Sequence, residues 1–135
     1  MSFLADFSKY IAHMEGFATI GAIPWTNNNP GDLDAGTRAI GKDSRGYAQY
    51  AKVSDGWADL EDLITRTLTN HPNLTILTFF AGERDQNGLI VPGGYAGYAP
   101  SADPRGPNNP QVYAEWVAKQ LQITVGETLS PLLQS

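Results

Sequence analysis

The chain has 135 residues, no cysteine, and 9 Lys and Arg against 14 Asp and Glu, which gives a formal net charge of −5. The length suits a single domain over residues 1–135, and the lack of a basic cluster makes nucleic acid an unexpected partner. Disulfides and thiolate metal sites are excluded. No apolar run approaches the roughly 20 residues of a membrane span, so no membrane insertion is expected.

The first half of the chain predicts a helix, a loop, a hairpin and a second helix. Apolar residues recur at helical spacing over residues 2–15, and this helix ends on Glu15 before a glycine. Residues 16–36 are expected to form a loop, and residues 37–50 a small hairpin around Lys-Asp-Ser-Arg-Gly. Ser54 is expected to cap a longer helix. Its predicted apolar face comprises Trp57, Leu60, Leu63, Ile64, Thr67 and Leu68.

The second half predicts two more helices separated by a long irregular segment. After a break at residues 70–73, Thr75 is expected to open a short helix. Residues 82–109 are rich in Gly, Pro, Asp and Asn, and Asn109 with Pro110 starts the last long helix. The predicted buried stripe of that helix is Val112, Tyr113, Trp116, Val117, Gln120 and Leu121. The fold class predicted is mainly α with one small β-hairpin.

Glu15 is the first candidate catalytic residue. A glutamate at a helix end usually points into solvent. Here it lies at the edge of the apolar stripe and faces the negative end of the helix dipole, which disfavours the charged carboxylate. Burial and the dipole would both raise its pKa towards a value useful in a general acid.

Residues 27–33, Asn-Asn-Asn-Pro-Gly-Asp-Leu, are the second candidate. Asn-Pro-Gly-Asp is ordinary turn material, and the asparagine side chains could cap local backbone. Asparagine amides also donate and accept hydrogen bonds, as a site that reads sugar hydroxyls and N-acetyl groups requires. The tyrosines of the hairpin and of residues 95–98 are open to the same two interpretations, packing or stacking on sugars.

Metal and cofactor sites are not predicted. His13 and His71 are isolated in the sequence. Residues 83–94 have an EF-hand-like order of oxygen ligands, but Gly94 stands where the bidentate glutamate is needed. A turn at Asn87-Gly88 is the better interpretation.

Four motifs in the same order resemble a known superfamily: Glu-Gly-Phe with Asn-Asn-Asn-Pro-Gly-Asp-Leu, then Gly-Tyr-Ala-Gln-Tyr with Asp-Gly-Trp-Ala-Asp-Leu, then Tyr-Ala-Pro, and finally Asn-Asn-Pro-Gln-Val-Tyr-Ala-Glu-Trp-Val. Over residues 5–122 the chain resembles lysozyme-like phage and bacterial proteins related to soluble lytic transglycosylases and goose-type lysozymes. The resemblance implies a lysozyme-like α+β fold with a glycan groove between a helical body and the hairpin. The segment Gly82 to Gly94 is an apparent insertion in this pattern.

The resemblance also implies residue roles and a substrate, the peptidoglycan glycan strand. Glu15 matches the catalytic glutamate, the turn at residues 29–31 faces it across the groove, and Gln49 matches a glycan-contacting position on the hairpin. Tyr98 and Tyr113 match tyrosines near the catalytic glutamate. The predicted substrate-binding residues are Asn28, Asn29, Gly31, Asp32, Tyr47, Gln49, Tyr50, Tyr98 and Tyr113.

The implied reaction is cleavage of the β-1,4 bond between N-acetylmuramic acid and N-acetylglucosamine. A muramidase of the hydrolase type needs a second carboxylate, for which Asp32, Asp34 and Asp43 are candidates. A lytic transglycosylase needs none, and is slightly favoured for that reason. The alternative is a non-catalytic glycan-binding or virion- or secretion-assembly module. The N-terminus does not resemble a signal peptide, so delivery by a holin, a phage particle or a secretion machine is expected.

Overall fold

The computed structural model describes residues 2–103 and 108–135. Helices make up 44% of the described residues, and the described sheet is one small antiparallel pair, which confirms the mainly α prediction. The contacts gather into two compact units, Met1–Arg66 and Thr67–Ser135.

Helix α1 (Phe3–Met14) opens the first unit as predicted. The Ser2 hydroxyl caps it by accepting a hydrogen bond from the Ala5 N–H at 3.1 Å. Its buried face carries Phe3, Phe7, Ser8, Ile11 and Ala12, the spacing expected of one apolar stripe.

The predicted loop after α1 contains a one-turn helix, α2 (Ile23–Thr26). Pro24 lies within its first two positions, where its missing N–H costs no intrahelical bond. The sequence pattern misses this element because four residues are too few to show helical periodicity.

The hairpin is present but shorter than the predicted segment. Strand β1 (Gly41–Lys42) pairs with β2 (Ala48–Gln49), so that Gly41 is opposite Gln49 and Lys42 is opposite Ala48. Asp43 closes the turn between them, since its N–H donates to the Tyr47 carbonyl at 2.9 Å. The hairpin therefore consists mostly of its turn, with two residues in each strand.

Helix α3 spans Val53–Asn70. It begins one residue before Ser54, so Ser54 lies inside its first turn and the predicted cap is wrong. Leu60, Ile64 and Leu68 are fully buried at i, i+4 and i+8, which confirms the centre of the predicted apolar face. Phe17 packs edge-on against Trp57 with ring centroids 5.5 Å apart.

The second unit contains α4 (Ile76–Ala81), α5 (Pro110–Leu121) and a 3₁₀ turn over Ser130–Gln134. Thr75 and Thr78 form a capping box at the start of α4, and α4 packs against α5. Asn109 caps α5 as predicted. The buried residues of α5 are Ala114, Val117 and Ala118. Val112 is 52% exposed, so its prediction as part of the buried stripe is wrong. Two residues turn a helix by about 200°, so Val112 and Ala114 lie on opposite faces.

Candidate functional site

Glu15 is the C-terminal cap of α1 and is half-buried. The chain leaves the helix through Gly16, which has a φ of 84°. The Gly16 N–H donates to the His13 carbonyl at 3.1 Å, and the Phe17 N–H donates to the Ala12 carbonyl at 3.0 Å. This is the Schellman arrangement, in which a left-handed glycine satisfies the last carbonyls of a helix. It fixes where the backbone carrying Glu15 turns away from the helix.

Residues 27–33, called the asparagine loop below, are tied to the hairpin by their side chains. The Asn27 amide donates to Oδ2 of Asp43 at 2.9 Å, and its Oδ1 accepts a longer bond of 3.4 Å from Gln49. The Asn28 amide donates to the Tyr50 carbonyl at 3.0 Å. In the opposite direction, the Tyr50 N–H donates to the Asn27 carbonyl at 2.9 Å. Loop and hairpin are therefore one hydrogen-bonded body.

Asn29 is fully buried at the centre of this body. Its amide donates to the carbonyls of Leu33 and Ala48 at 2.9 and 3.0 Å, and its Oδ1 accepts the Leu33 N–H at 2.9 Å. A direct glycan contact, as predicted for Asn29, does not fit this burial. The other interpretation of the sequence, an asparagine that satisfies nearby backbone, describes it correctly.

Tyr50 and Gly31, also predicted as glycan contacts, are buried as well. The Tyr50 side chain is 3% exposed, and its hydroxyl donates to Oδ2 of Asp59 at 2.9 Å. Burial and this bond to Asp59 both raise the pKa of Tyr50. Of the predicted binding residues in the first unit, Asn28, Asp32, Tyr47 and Gln49 remain partly exposed.

Asp43 holds the hairpin turn through both carboxylate oxygens. Oδ2 accepts the Asn27 amide, while Oδ1 accepts the backbone N–H groups of Arg45 and Tyr47 at 2.8 and 3.0 Å. The Asn27 hydrogen bond is the main cause that lowers the pKa of Asp43, and the turn amides lower it further against partial desolvation. Asp43 is thus an ionised, structurally engaged carboxylate beside the asparagine loop.

A second polar cluster joins residues 36–38 to α3. Arg38 forms ion pairs with Asp59 and Asp62, both at 2.6 Å, and its N–H donates to Asp59 at 3.0 Å. Burial opposes the ionisation of Asp59, but the hydrogen bonds from Arg38 and Tyr50 outweigh it, so the pKa of Asp59 is lowered. A Cβ on Gly36 would overlap Asp59. The cluster borders a cavity of about 370 Å³ lined by Ala35, Gly36, Thr37, Asp59, Asp62, Leu63 and Arg66.

Tyr98 and Tyr113 lie in the second unit, where both contact Phe80. The Tyr98 ring is edge-on to Phe80 at 6.3 Å and stacks on Phe79 at 5.6 Å, while Tyr113 is edge-on to Phe80 at 5.8 Å. Both tyrosines are half-buried. They form the exposed margin of an aromatic core, which is compatible with packing and leaves part of each ring accessible.

The irregular residues 82–98, called the 82–98 segment below, carry their own supports in the second unit. The Arg84 side chain donates to the carbonyls of Ala81, Gly88 and Ala96 at 2.8, 2.8 and 3.1 Å. The Asp85 carboxylate accepts the N–H groups of Asn87 and Leu89. The turn predicted at Asn87-Gly88 is confirmed, and the segment is locally folded despite its composition.

Sequence reasoning missed the polar cluster around Asp59 and the exposed side chain of Trp25. Asp59 stands directly before the buried Leu60 in an apolar helix face, and a carboxylate in that position needs a partner. The partner, Arg38, lies 21 residues earlier, beyond the reach of any local pattern. Trp25 is 46% exposed, and its exposure follows from the fold of α2 rather than from its neighbours in sequence.

Two further properties concern metals and membranes. Within residues 2–103 and 108–135, no three His, Asp or Glu side chains come together as metal ligands. None of the helices described is both long and apolar enough to cross a membrane.

Comparisons with protein-family models, with curated proteins and with solved structures give no match. The family and the reaction therefore remain expectations from the sequence motifs.

Proposed function

We propose that the protein cleaves the β-1,4 glycosidic bond between N-acetylmuramic acid and N-acetylglucosamine in peptidoglycan, with Glu15 as the general acid and base. The proposal combines the resemblance of the motifs with the placement of Glu15 and of the asparagine loop. A lysozyme-like fold with a glycan groove is part of this proposal.

The observation that carries it is the position of Glu15 at the Schellman end of α1. The side chain is half-buried, and the negative end of the α1 dipole disfavours its charged form. A general acid must hold its proton until the leaving oxygen takes it.

One of the three candidate carboxylates, Asp43, favours a lytic transglycosylase over a hydrolase. An inverting hydrolase needs a second carboxylate to activate water, about 6.5–9.5 Å from the acid. Both carboxylate oxygens of Asp43 accept hydrogen bonds, from the Asn27 side chain and from backbone N–H groups of the turn. A carboxylate held in this way is less suited to activating water. In a transglycosylase Glu15 protonates the bridging oxygen. It then accepts the proton of the muramic acid 6-hydroxyl as that oxygen closes the 1,6-anhydro ring.

The test is digestion of purified peptidoglycan by the wild type and by Glu15→Gln, with products identified by mass spectrometry. Glu115→Gln is a matched control, because Glu115 is exposed on α5 and bonds only to Gln111 among the contacts described for it. We expect 1,6-anhydro-muropeptides from the wild type and from the control. Loss of a general acid typically costs 10²- to 10⁴-fold in rate, so Glu15→Gln should release almost nothing.

Other products would change the assignment. Reducing-end products would identify a hydrolase, and Asp-to-Asn substitutions at Asp32, Asp34 and Asp43 would then show which of them is the second carboxylate. Unchanged digestion by Glu15→Gln would remove Glu15 from the mechanism. No digestion by a folded wild type that still binds peptidoglycan would replace the enzyme with the non-catalytic binding or assembly module.

A further inference from the structure

The cavity of about 370 Å³ lies within the first unit, bordered by residues 35–37 and by one side of α3. Its α3 wall is formed by Asp59, Asp62, Leu63 and Arg66. The spacing of these four residues, i, i+3, i+4 and i+7, places them on a single helix face. The volume is in the range of small-molecule sites, and the charges of the wall decide which molecule fits.

The carboxylates of this wall share one cation. Nη1 of Arg38 contacts Oδ1 of Asp59 and Oδ2 of Asp62, both at 2.6 Å. Asp59 is 4% exposed and also accepts the Tyr50 hydroxyl at 2.9 Å, so its side chain is fixed within the protein. The Asp62 side chain is 56% exposed and can accept a further hydrogen bond from a ligand. Two carboxylates on one guanidinium leave one negative charge in this part of the wall.

Arg66 lies one helical turn beyond Asp62 and supplies the opposite charge. An Asp and an Arg at i and i+4 commonly pair on a helix surface. Here Asp62 pairs with Arg38 instead, and Arg66 makes no ion pair with any residue that the structure describes. The exposed Arg66 guanidinium can therefore take a carboxylate from outside, through two parallel hydrogen bonds.

The loop wall adds backbone donors and apolar surface. In the part of the chain that the structure describes, the N–H groups of Ala35, Gly36 and Thr37 have no acceptor. Each of them can donate to a ligand or to water. The Ala35 methyl group and the Leu63 side chain also line the cavity. A small apolar body between polar ends would thus find both kinds of surface.

The balance of charge selects the class of ligand. The two guanidinium groups offset the two carboxylates, so the site carries no net charge. A bare anion would face two carboxylates, and a bare cation would face two guanidinium groups, so each would meet repulsion. We propose that the cavity binds a small zwitterion, such as an amino acid or a short peptide with free ends. Its ammonium group contacts Asp62 and its carboxylate contacts Arg66. The proposal is independent of glycan cleavage, to which none of the cavity residues is assigned.

The experiment uses the dipeptide alanyl-alanine as the probe. NMR follows the backbone amides of residues 35–37 and the Nε–H signal of Arg66 during titration, and we expect saturable shifts in both. N-acetyl-alanyl-alanine lacks the ammonium group, and alanyl-alanine amide lacks the carboxylate. Each should bind about tenfold more weakly than the dipeptide, which corresponds to about 1.4 kcal/mol. Free alanine is titrated in the same way, and the tighter of the two zwitterions identifies an amino acid or a peptide as the source.

Matched variants assign each charge to its partner. Arg66→Gln should raise the Kd of the dipeptide about tenfold but leave that of the amide nearly unchanged, because the amide has no carboxylate to lose. Asp62→Asn should act in the same way on the dipeptide and spare the N-acetyl form. Lys119→Gln removes an exposed cation outside the cavity and should leave every Kd unchanged. Thermal unfolding confirms that each variant is folded.

Three results would overturn the proposal. The first is the lack of saturable shifts at millimolar dipeptide. The second is equal binding of the capped and uncapped dipeptides, since the charges would then play no part. The third is an equal loss of affinity in Arg66→Gln and Lys119→Gln. Peptidoglycan digestion without dipeptide binding would refute only this site, and dipeptide binding without digestion would refute only the enzyme.

Discussion

The asparagine loop and the 82–98 segment are both irregular, yet different chemistry holds them. The loop relies on neutral amides at its centre, and Asn29 satisfies three backbone groups while fully buried. The 82–98 segment relies on the exposed guanidinium of Arg84, which donates hydrogen bonds to three backbone carbonyls. A buried donor has no water to replace it, whereas an exposed one does. The first segment should therefore be rigid and intolerant of substitution, and the second should open locally.

The largest expected effect tests the buried side of this comparison. Asn29→Ala removes the hydrogen bonds of Asn29 to the Leu33 N–H and to the Leu33 and Ala48 carbonyls, of which the Leu33 carbonyl still accepts the Ala48 N–H. Each buried group left unsatisfied costs about 1–3 kcal/mol. We expect the free energy of unfolding to fall by about 3 kcal/mol in urea denaturation. Asn73→Ala, at an exposed site, should change it by less than about 0.5 kcal/mol. Equal, small effects would mean that the loop does not depend on its buried amide.

Gly56 tests the close packing beneath the loop. In an exposed helix, Gly→Ala stabilises by about 1 kcal/mol. At Gly56 the new Cβ would overlap the Asn28 carbonyl oxygen and approach Cδ of Pro30. We expect Gly56→Ala to destabilise the protein by about 2 kcal/mol, measured by thermal unfolding. Gly41→Ala, where nothing lies within 4 Å of the new Cβ, is the control. A stabilised Gly56→Ala would show that the loop can move away from α3.

Arg84 tests the exposed side of the comparison. Arg84→Ala removes three hydrogen bonds to carbonyls that water can reach, so the global loss should be only about 1 kcal/mol. Hydrogen exchange should report the change more directly: the Glu83 and Val91 amides, which bond within the segment, should exchange faster. Amides of the asparagine loop should be unaffected. Unchanged exchange at Glu83 and Val91 would mean that backbone bonds alone hold the segment.

The smallest expected effect concerns pH and the Asp59 cluster. The lowered pKa of Asp59 means that its charged form is favoured in the folded protein, net of the burial that opposes it. Its contribution to stability is present above the unfolded pKa of about 3.9 and is lost as pH falls through the lower folded value. Urea midpoints should therefore decline below about pH 4, and less steeply in Asp59→Asn. Parallel declines in the two proteins would assign the acid sensitivity elsewhere.

Local patterns predicted α1, α3, α4, α5 and the hairpin, because each depends on neighbours in sequence, and missed the one-turn helix α2. Thr75 and Asn109 cap their helices as expected. The sequence leaves the roles of the asparagines open for a physical reason. An asparagine that bonds to backbone and an asparagine that bonds to a sugar are the same residue type. Only burial separates them, and burial of Asn29 depends on Ala48, which is 19 residues away. The pairing of Arg38 with Asp59 was beyond prediction for the same reason.

The Asn87-Gly88 turn also bears on the chemical lifetime of the protein. An asparagine followed by glycine is prone to deamidation, because the glycine nitrogen can attack the side-chain amide with little hindrance. In the folded chain the Gly88 N–H is engaged by the Asp85 carbonyl at 3.0 Å. In the folded turn this nitrogen is therefore less available to attack the Asn87 amide. In stored protein, deamidation should be fastest at Asn87 in those molecules whose turn has opened.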